Sequence, residues 1–123
     1  MKGDNPLDVL PKFDEAVIPV EKFLNYALDP ITSRGKSVAF RDALGYTKAN
    51  VELLIVSIKN NLKCFPAISK GDNGYGETYT VLMELEGING KTANVTTAWL
   101  DDLKTGKMRL TSAYIKKRKG WTS

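Results

Sequence analysis

Residues Tyr79–Trp99 read YTVLMELEGINGKTANVTTAW, and the alternation in this stretch decides the fold. Tyr79, Val81, Met83 and Leu85 alternate with Thr80 and Glu84. After Gly87-Ile88-Asn89-Gly90, the residues Ala93, Val95, Thr97 and Trp99 fall on one face of a second run. A period of two marks half-buried β-strands, and the glycine-bearing interval between the runs makes a hairpin. A two-residue Asn-Gly turn would set Met83 against Thr96, an apolar side chain against a polar one. A three-residue loop with Gly90 left-handed sets Met83 against Val95 and Tyr79 against Trp99, and this register is the one expected.

Downstream of the hairpin, Thr105-Gly106 turns into a last strand, Met108–Ile115, followed by the basic run Lys116-Lys117-Arg118-Lys119. Upstream, Cys64–Ile68 suits an edge strand because Pro66 cannot donate to a ladder, and Gly71–Gly76 reads as a loop. Before that the period is helical. Val51, Leu54, Ile55, Ile58 and Leu62 form the longest apolar stripe, with Thr47 placed to cap it. A basic loop, Thr32-Ser33-Arg34-Gly35-Lys36, leads into a shorter helix in which Ala39, Phe40, Ala43 and Leu44 share a face, Arg41 points away from it, and Gly45 closes the end. A first helix opens at Pro19, carries Val20, Phe23, Leu24 and Ala27 on one side, and stops at Asp29-Pro30.

Helices first and strands afterwards predict an α+β fold, with two to three N-terminal helices on one face of a three- to four-stranded antiparallel meander sheet. At 123 residues the chain is a single domain, 1–123, with 1–18 as an extended arm and 116–123 as a basic tail. With the apolar hairpin residues turned to the helices, the opposite face carries Thr80, Glu84, Asn94 and Thr96.

The composition excludes several chemistries. There is no histidine, so Ser-His-Asp, Cys-His and histidine-pair mechanisms are ruled out. Cys64 is alone, so there is neither an intramolecular disulfide nor a Cys/His spacing of zinc type, and a reducing compartment fits. The first residues lack the apolar run of a signal peptide, and no stretch reaches membrane-spanning length. Gly71–Gly76 matches neither a phosphate-binding loop nor a dinucleotide fingerprint, so no cofactor is implied. A formal net charge of +4 tilts the chain mildly towards polyanions.

A set of residues spread along nearly the whole chain, from Leu10 to Ile115, carries a resemblance. It comprises the stretch from Leu10-Pro11 to Ile18-Pro19, the stretch from Arg34-Gly35-Lys36 to Phe40-Arg41-Asp42-Ala43-Leu44-Gly45-Tyr46-Thr47, then Tyr75-Gly76, Tyr79, Asn89-Gly90-Lys91, Val95, Thr97-Ala98-Trp99 and Leu110-Thr111-Ser112-Ala113-Tyr114. These residues resemble an uncharacterised bacterial domain family found in stand-alone proteins and at the C-termini of polymorphic toxins. The element order is also similar to that of the barnase, colicin and RelE class of toxin nucleases. The two resemblances imply a ribonuclease toxin acting on tRNA or mRNA in the cytoplasm of a target cell and neutralised by an immunity or antitoxin protein.

RNA cleavage through the 2′-hydroxyl takes its nucleophile from the substrate, so positioning and positive charge do much of the work without histidine or metal. On this reading Arg109 neutralises the scissile phosphate, Thr111 or Ser112 hydrogen-bonds it, and Tyr114 or Glu84 moves a proton. Arg34, Lys36 and Arg41 hold neighbouring phosphates, with Asn94 and Thr96 on the open sheet face. Each assignment has a plainer counterpart. The cations around residues 34–41 make a solvated helix entry, Arg109 pairs with Glu84 across the sheet, and Trp99 and Tyr79 are core. A module that binds a partner protein or an anionic nucleotide through the same site without breaking a bond stays open beside the ribonuclease.

Overall fold

The hairpin adopts the expected register. In the computed structural model, which describes residues 8–116, β2 (Gly76–Glu86) pairs with β3 (Thr92–Asp102) so that Tyr79 faces Trp99 and Met83 faces Val95. The Gly87 amide donates to the Lys91 carbonyl around a three-residue loop in which Gly90 has φ 82°. That left-handed backbone is open to glycine at no steric cost. β1 (Ala67–Asp72) pairs antiparallel with β2, and β4 (Met108–Ile115) pairs antiparallel with β3, giving a meander in the order β1-β2-β3-β4. β1 begins after Pro66 and runs through Gly71, so the edge strand lies further along the chain than its sequence suggests. Gly71, at φ 94°, takes up the irregularity in pairing between Ser69 and Gly71.

Two helices, α1 (Arg34–Leu44) and α2 (Val51–Asn61), cover one face of the sheet. α1 lies on β3 and β4, and α2 lies on β2. Gly45 ends α1 in the left-handed region, and its amide returns to the Arg41 carbonyl. The Ala49 amide donates to the Thr47 hydroxyl and the Thr47 amide donates to the Asn50 side-chain oxygen, capping the turn that leads into α2. Val51, Leu54, Ile58 and Leu62 from the predicted stripe are buried, and Ile55 is half-buried. Arg34, Gly35 and Lys36, expected in a loop, instead make the first turn of α1.

The first helical segment differs in pitch. Phe23–Ala27 is a π-helical turn in which the Leu28 amide reaches back to the Phe23 carbonyl. The extra residue per turn brings Leu28 inward with Phe23 and Ala27, and it leaves Val20 and Tyr26 at the surface.

The layer between helices and sheet holds Phe23, Phe40, Leu44, Leu54, Ile58, Val81, Met83, Val95, Trp99, Met108 and Leu110. The indole Nε1 of buried Trp99 donates to Thr97 Oγ1, which donates to the Val81 carbonyl, both at 2.8 Å. The fully buried Thr97 hydroxyl is therefore satisfied where an unpaired one would be costly. Gly87 lets the β2–β3 turn press against the end of α1, because a β-carbon there would collide with the Leu44 backbone. The arm also contributes, burying Leu10, Ala16 and Ile18. Val17 makes a parallel bridge with Arg109, and Lys12 bonds Asp101 at 2.8 Å and the Gly106 carbonyl at 3.0 Å.

Candidate functional site

β4 carries most of the predicted catalytic residues, and a bulge decides where they point. Pairing with β3 slips between Ala98 and Trp99: Leu110 faces Trp99, Ser112 faces Ala98, and Thr111 is the extra residue. Arg109, Ser112 and Tyr114 therefore oppose Leu100, Ala98 and Thr96, which share one sheet face. Arg109 does not share a face with Thr111 as simple alternation predicts. Thr111 instead uses its hydroxyl to donate to the Ala98 carbonyl at 3.1 Å, holding the bulge closed.

The structure separates the predicted cations. Arg109 Nη2 pairs with Asp102 Oδ2 at 3.3 Å, rather than with Glu84. Its stretch of strand is also covered, because the Val17 amide donates to the Met108 carbonyl and the Leu110 amide donates to the Val17 carbonyl. Arg41 pairs with Asp42 at 3.1 Å and lines a recess with Leu28, Pro30, Thr47 and Lys48. Arg34 is exposed at the first position of α1 and lines neither this recess nor the two described below. The expected single cluster of Arg34, Lys36, Arg41 and Arg109 does not form. Helix α1 sends its residues in different directions, and Arg109 is taken up by a carboxylate from its own hairpin.

Glu84 and Asn94 face each other across β2 and β3 and line a separate recess of about 470 Å³ with Asp42, Lys91, Thr92 and Lys116. Thr96 is buried between its strand neighbours Leu82 and Tyr114, which removes it from contact with a substrate. Lys117, Arg118, Lys119 and Trp121, the rest of the basic tail, lie outside the described residues.

Lys36, Thr111 and Ser112 do come together. They line a recess of about 170 Å³ between α1 and the second half of β4, with Lys22, Tyr26 and Ser33 completing its polar wall. Tyr114 adjoins it, since the Lys36 ammonium lies 5.6 Å from the centre of the Tyr114 ring. On the other side, the Lys22 ammonium lies 5.7 Å from the centre of the Tyr26 ring. Ser33 is the N-cap of α1 yet makes no capping bond with its hydroxyl, and the first turn contains no acidic side chain. The amides of that turn have no carbonyl partner within the helix, so the positive end of the 11-residue α1 dipole lies at Ser33 and Lys36, which line the recess with Lys22.

Sequence reasoning had not picked out Lys22, Tyr26 or Ser33. The available signal was the spacing of Lys22 and Tyr26, four residues apart on the outer side of a helical segment, where side chains meet.

The recess is suited to an anion with an attached aromatic or apolar group. It offers ammonium groups and serine hydroxyls around a small opening near the start of α1, with a phenol ring on each side. Residues 9–117 match the family described as a domain of unknown function, DUF6883. The chain belongs to this family. No curated protein and no solved structure matches it. The DUF6883 match spans both helices, all four strands and every residue of the recess. No helix among the described residues is long and apolar enough to cross a membrane.

Proposed function

We propose that this DUF6883 domain is a small, histidine-free ribonuclease of toxin type, cleaving tRNA or mRNA in a target cell's cytoplasm and held in check by an immunity or antitoxin protein. The observation that carries the reading is the convergence of Lys22, Lys36, Ser33 and Ser112 on one phosphate-sized recess at the positive end of α1, with Tyr26 and Tyr114 beside it. The resemblance to domains at polymorphic-toxin C-termini, and the order of helices followed by a meander sheet, support the same conclusion.

In this mechanism Lys36 and Lys22 neutralise the scissile phosphate, and the hydroxyls of Ser33 and Ser112 donate to its oxygens. Thr111 positions Ser112 by closing the bulge through the Ala98 carbonyl. The substrate's 2′-oxygen attacks phosphorus and releases its proton to water. The bond from phosphorus to the 5′-oxygen breaks, and the departing oxygen takes a proton from the Tyr114 phenol, which water restores. The products are a 2′,3′-cyclic phosphate and a 5′-hydroxyl.

Incubation of the purified domain with tRNA and mRNA in EDTA tests the reading. Cleavage products with cyclic phosphate ends are expected, together with loss of cleavage in Lys36→Ala. Intact RNA after prolonged incubation with folded protein would overturn the proposal.

One observation favours a second reading, a module that binds an anionic nucleotide without cleaving it. The recess is lined by lysines, hydroxyls and a phenol, whereas Glu84, the carboxylate expected to move a proton, lies in another recess. A nucleotide that raises the melting temperature and is recovered unchanged is the outcome this reading predicts.

A further inference from the structure

The two lysine–tyrosine pairs flank one recess, and this arrangement specifies more than a bound phosphate. Lys22 lies against the Tyr26 ring and Lys36 against the Tyr114 ring, at 5.7 and 5.6 Å. Both lysines and Tyr26 line the recess, and Tyr114 reaches it through Lys36. The rings are at the surface, with exposures of 53% for Tyr26 and 41% for Tyr114, although buried phenols are the usual way a small domain uses tyrosine as packing. They come from distant parts of the chain, one from the π-helical turn and one from the edge strand. Neither ring is needed to fill the core, whose aromatic side chains are Phe23, Phe40, Tyr46 and Trp99.

We infer that the recess takes one dinucleotide step of single-stranded RNA, with its phosphate between Lys22 and Lys36 and the two adjoining bases stacked on Tyr26 and Tyr114. This deepens the ribonuclease reading and rests on its placement of the phosphate. Bases in a duplex are held in their own stack and present only edges, whereas an unpaired strand can turn each base onto an aromatic face. A lysine held over the same ring places its charge beside the phosphate of the nucleotide stacked there, so each pair grips base and backbone together. Stacking of this kind tolerates any base because every base has a π-face. The recess therefore selects unpaired RNA by its strandedness, with little preference for sequence.

The test is binding of a 2′-O-methyl oligoribonucleotide, which cannot be cleaved through its 2′-position, measured by fluorescence anisotropy with the full chain at low salt. Single-stranded oligonucleotide should bind more tightly than the same sequence annealed to its complement. Tyr26→Ala and Tyr114→Ala should each weaken binding by roughly 5- to 150-fold, the range for removing one stacked base. Tyr26→Phe and Tyr114→Phe keep the ring and should keep the affinity, which separates stacking from any proton transfer by the phenol. Both side chains are exposed, and an unchanged melting temperature in the alanine variants would establish that the fold is intact. Equal affinity for duplex and single strand, or alanine variants that bind like the parent, would overturn the inference even if the domain cleaves RNA. Ring-dependent binding of the single strand by a domain that leaves natural RNA intact would uphold it while the ribonuclease reading falls.

Discussion

The two halves of β4 have opposite fates. Met108–Leu110 carries an arginine between two apolar residues, and its outer edge is taken up by Val17 while Asp102 holds the guanidinium. Thr111–Ile115 begins at the bulge, and beside it lie the recess, the positive end of α1 and two lysines. The first half is a structural seam and the second is the candidate site. The difference shows that a cation on a strand is available to a ligand only if neither a neighbouring carboxylate nor a neighbouring backbone has claimed it. On this strand the nearest charge in sequence, Arg109, is claimed, and the functional charge comes from helical residues across the recess.

Replacing the core side chain of the closed half should have the largest effect. Leu110 is fully buried opposite Trp99, so Leu110→Ala should lower stability by about 2–5 kcal/mol in denaturant unfolding, through lost burial and the cavity left behind. A smaller loss would mean that the arm and β4 pack more loosely than the seam requires. On the open half, Lys36→Ala should slow RNA cleavage by roughly 100-fold while the melting temperature stays put, as expected when one preorganised positive group is removed from developing phosphate charge. An unchanged cleavage rate would move the chemistry elsewhere.

Arg109→Ala should behave in the reverse way. The Arg109–Asp102 pair is partly exposed, so its removal should cost about 0–1 kcal/mol, read by thermal unfolding, and leave cleavage at the parent rate. A collapse of cleavage with stability retained would erase the distinction between the halves.

The smallest effect concerns the loop that delivers α1 to the recess. Hydrogen bonds from the Thr32 hydroxyl and the Ile31 amide, with Lys48 nearby, hold the Asp29 carboxyl below its ordinary value of 3.8. A depressed carboxylate contributes stability that is present above the unfolded value and lost as pH falls through the lower folded one. Asp29→Asn should therefore lower stability modestly above about pH 4 and flatten the acid limb, so that variant and parent converge as pH falls, as urea unfolding at a series of pH values would reveal.

Much of the fold could be read from the sequence because its signals are local. The alternation in Tyr79–Trp99, with a glycine able to turn left-handed at residue 90, is enough to set the hairpin register. The stripe from Val51 to Leu62 likewise declares its buried face. The site was harder to read because it depends on events between elements. No residue in Leu110-Thr111-Ser112 announces a bulge, which arises from how β4 settles on β3 and shifts Ser112 and Tyr114 onto the face of Arg109. The partner of Arg109 sits across a hairpin, so charge spacing alone could not separate Asp102 from Glu84. Lys22 and Tyr26 were hidden by the π-helical turn, since an ordinary helical count assigns that segment a different inner face.

The placement of the RNA-handling site in the open half of β4 can be examined by nuclear magnetic resonance on the ¹⁵N-labelled domain, titrated with a 2′-O-methyl oligoribonucleotide. Dose-dependent shifts should be concentrated in the amides of Tyr26, Ser33 to Lys36 and Thr111 to Ala113, while Asp102 and Arg109 stay where they are. Shifts centred on Asp102 and Arg109, or on Glu84, Lys91 and Lys116, with the amides around Lys36 and Ser112 unmoved, would contradict the account.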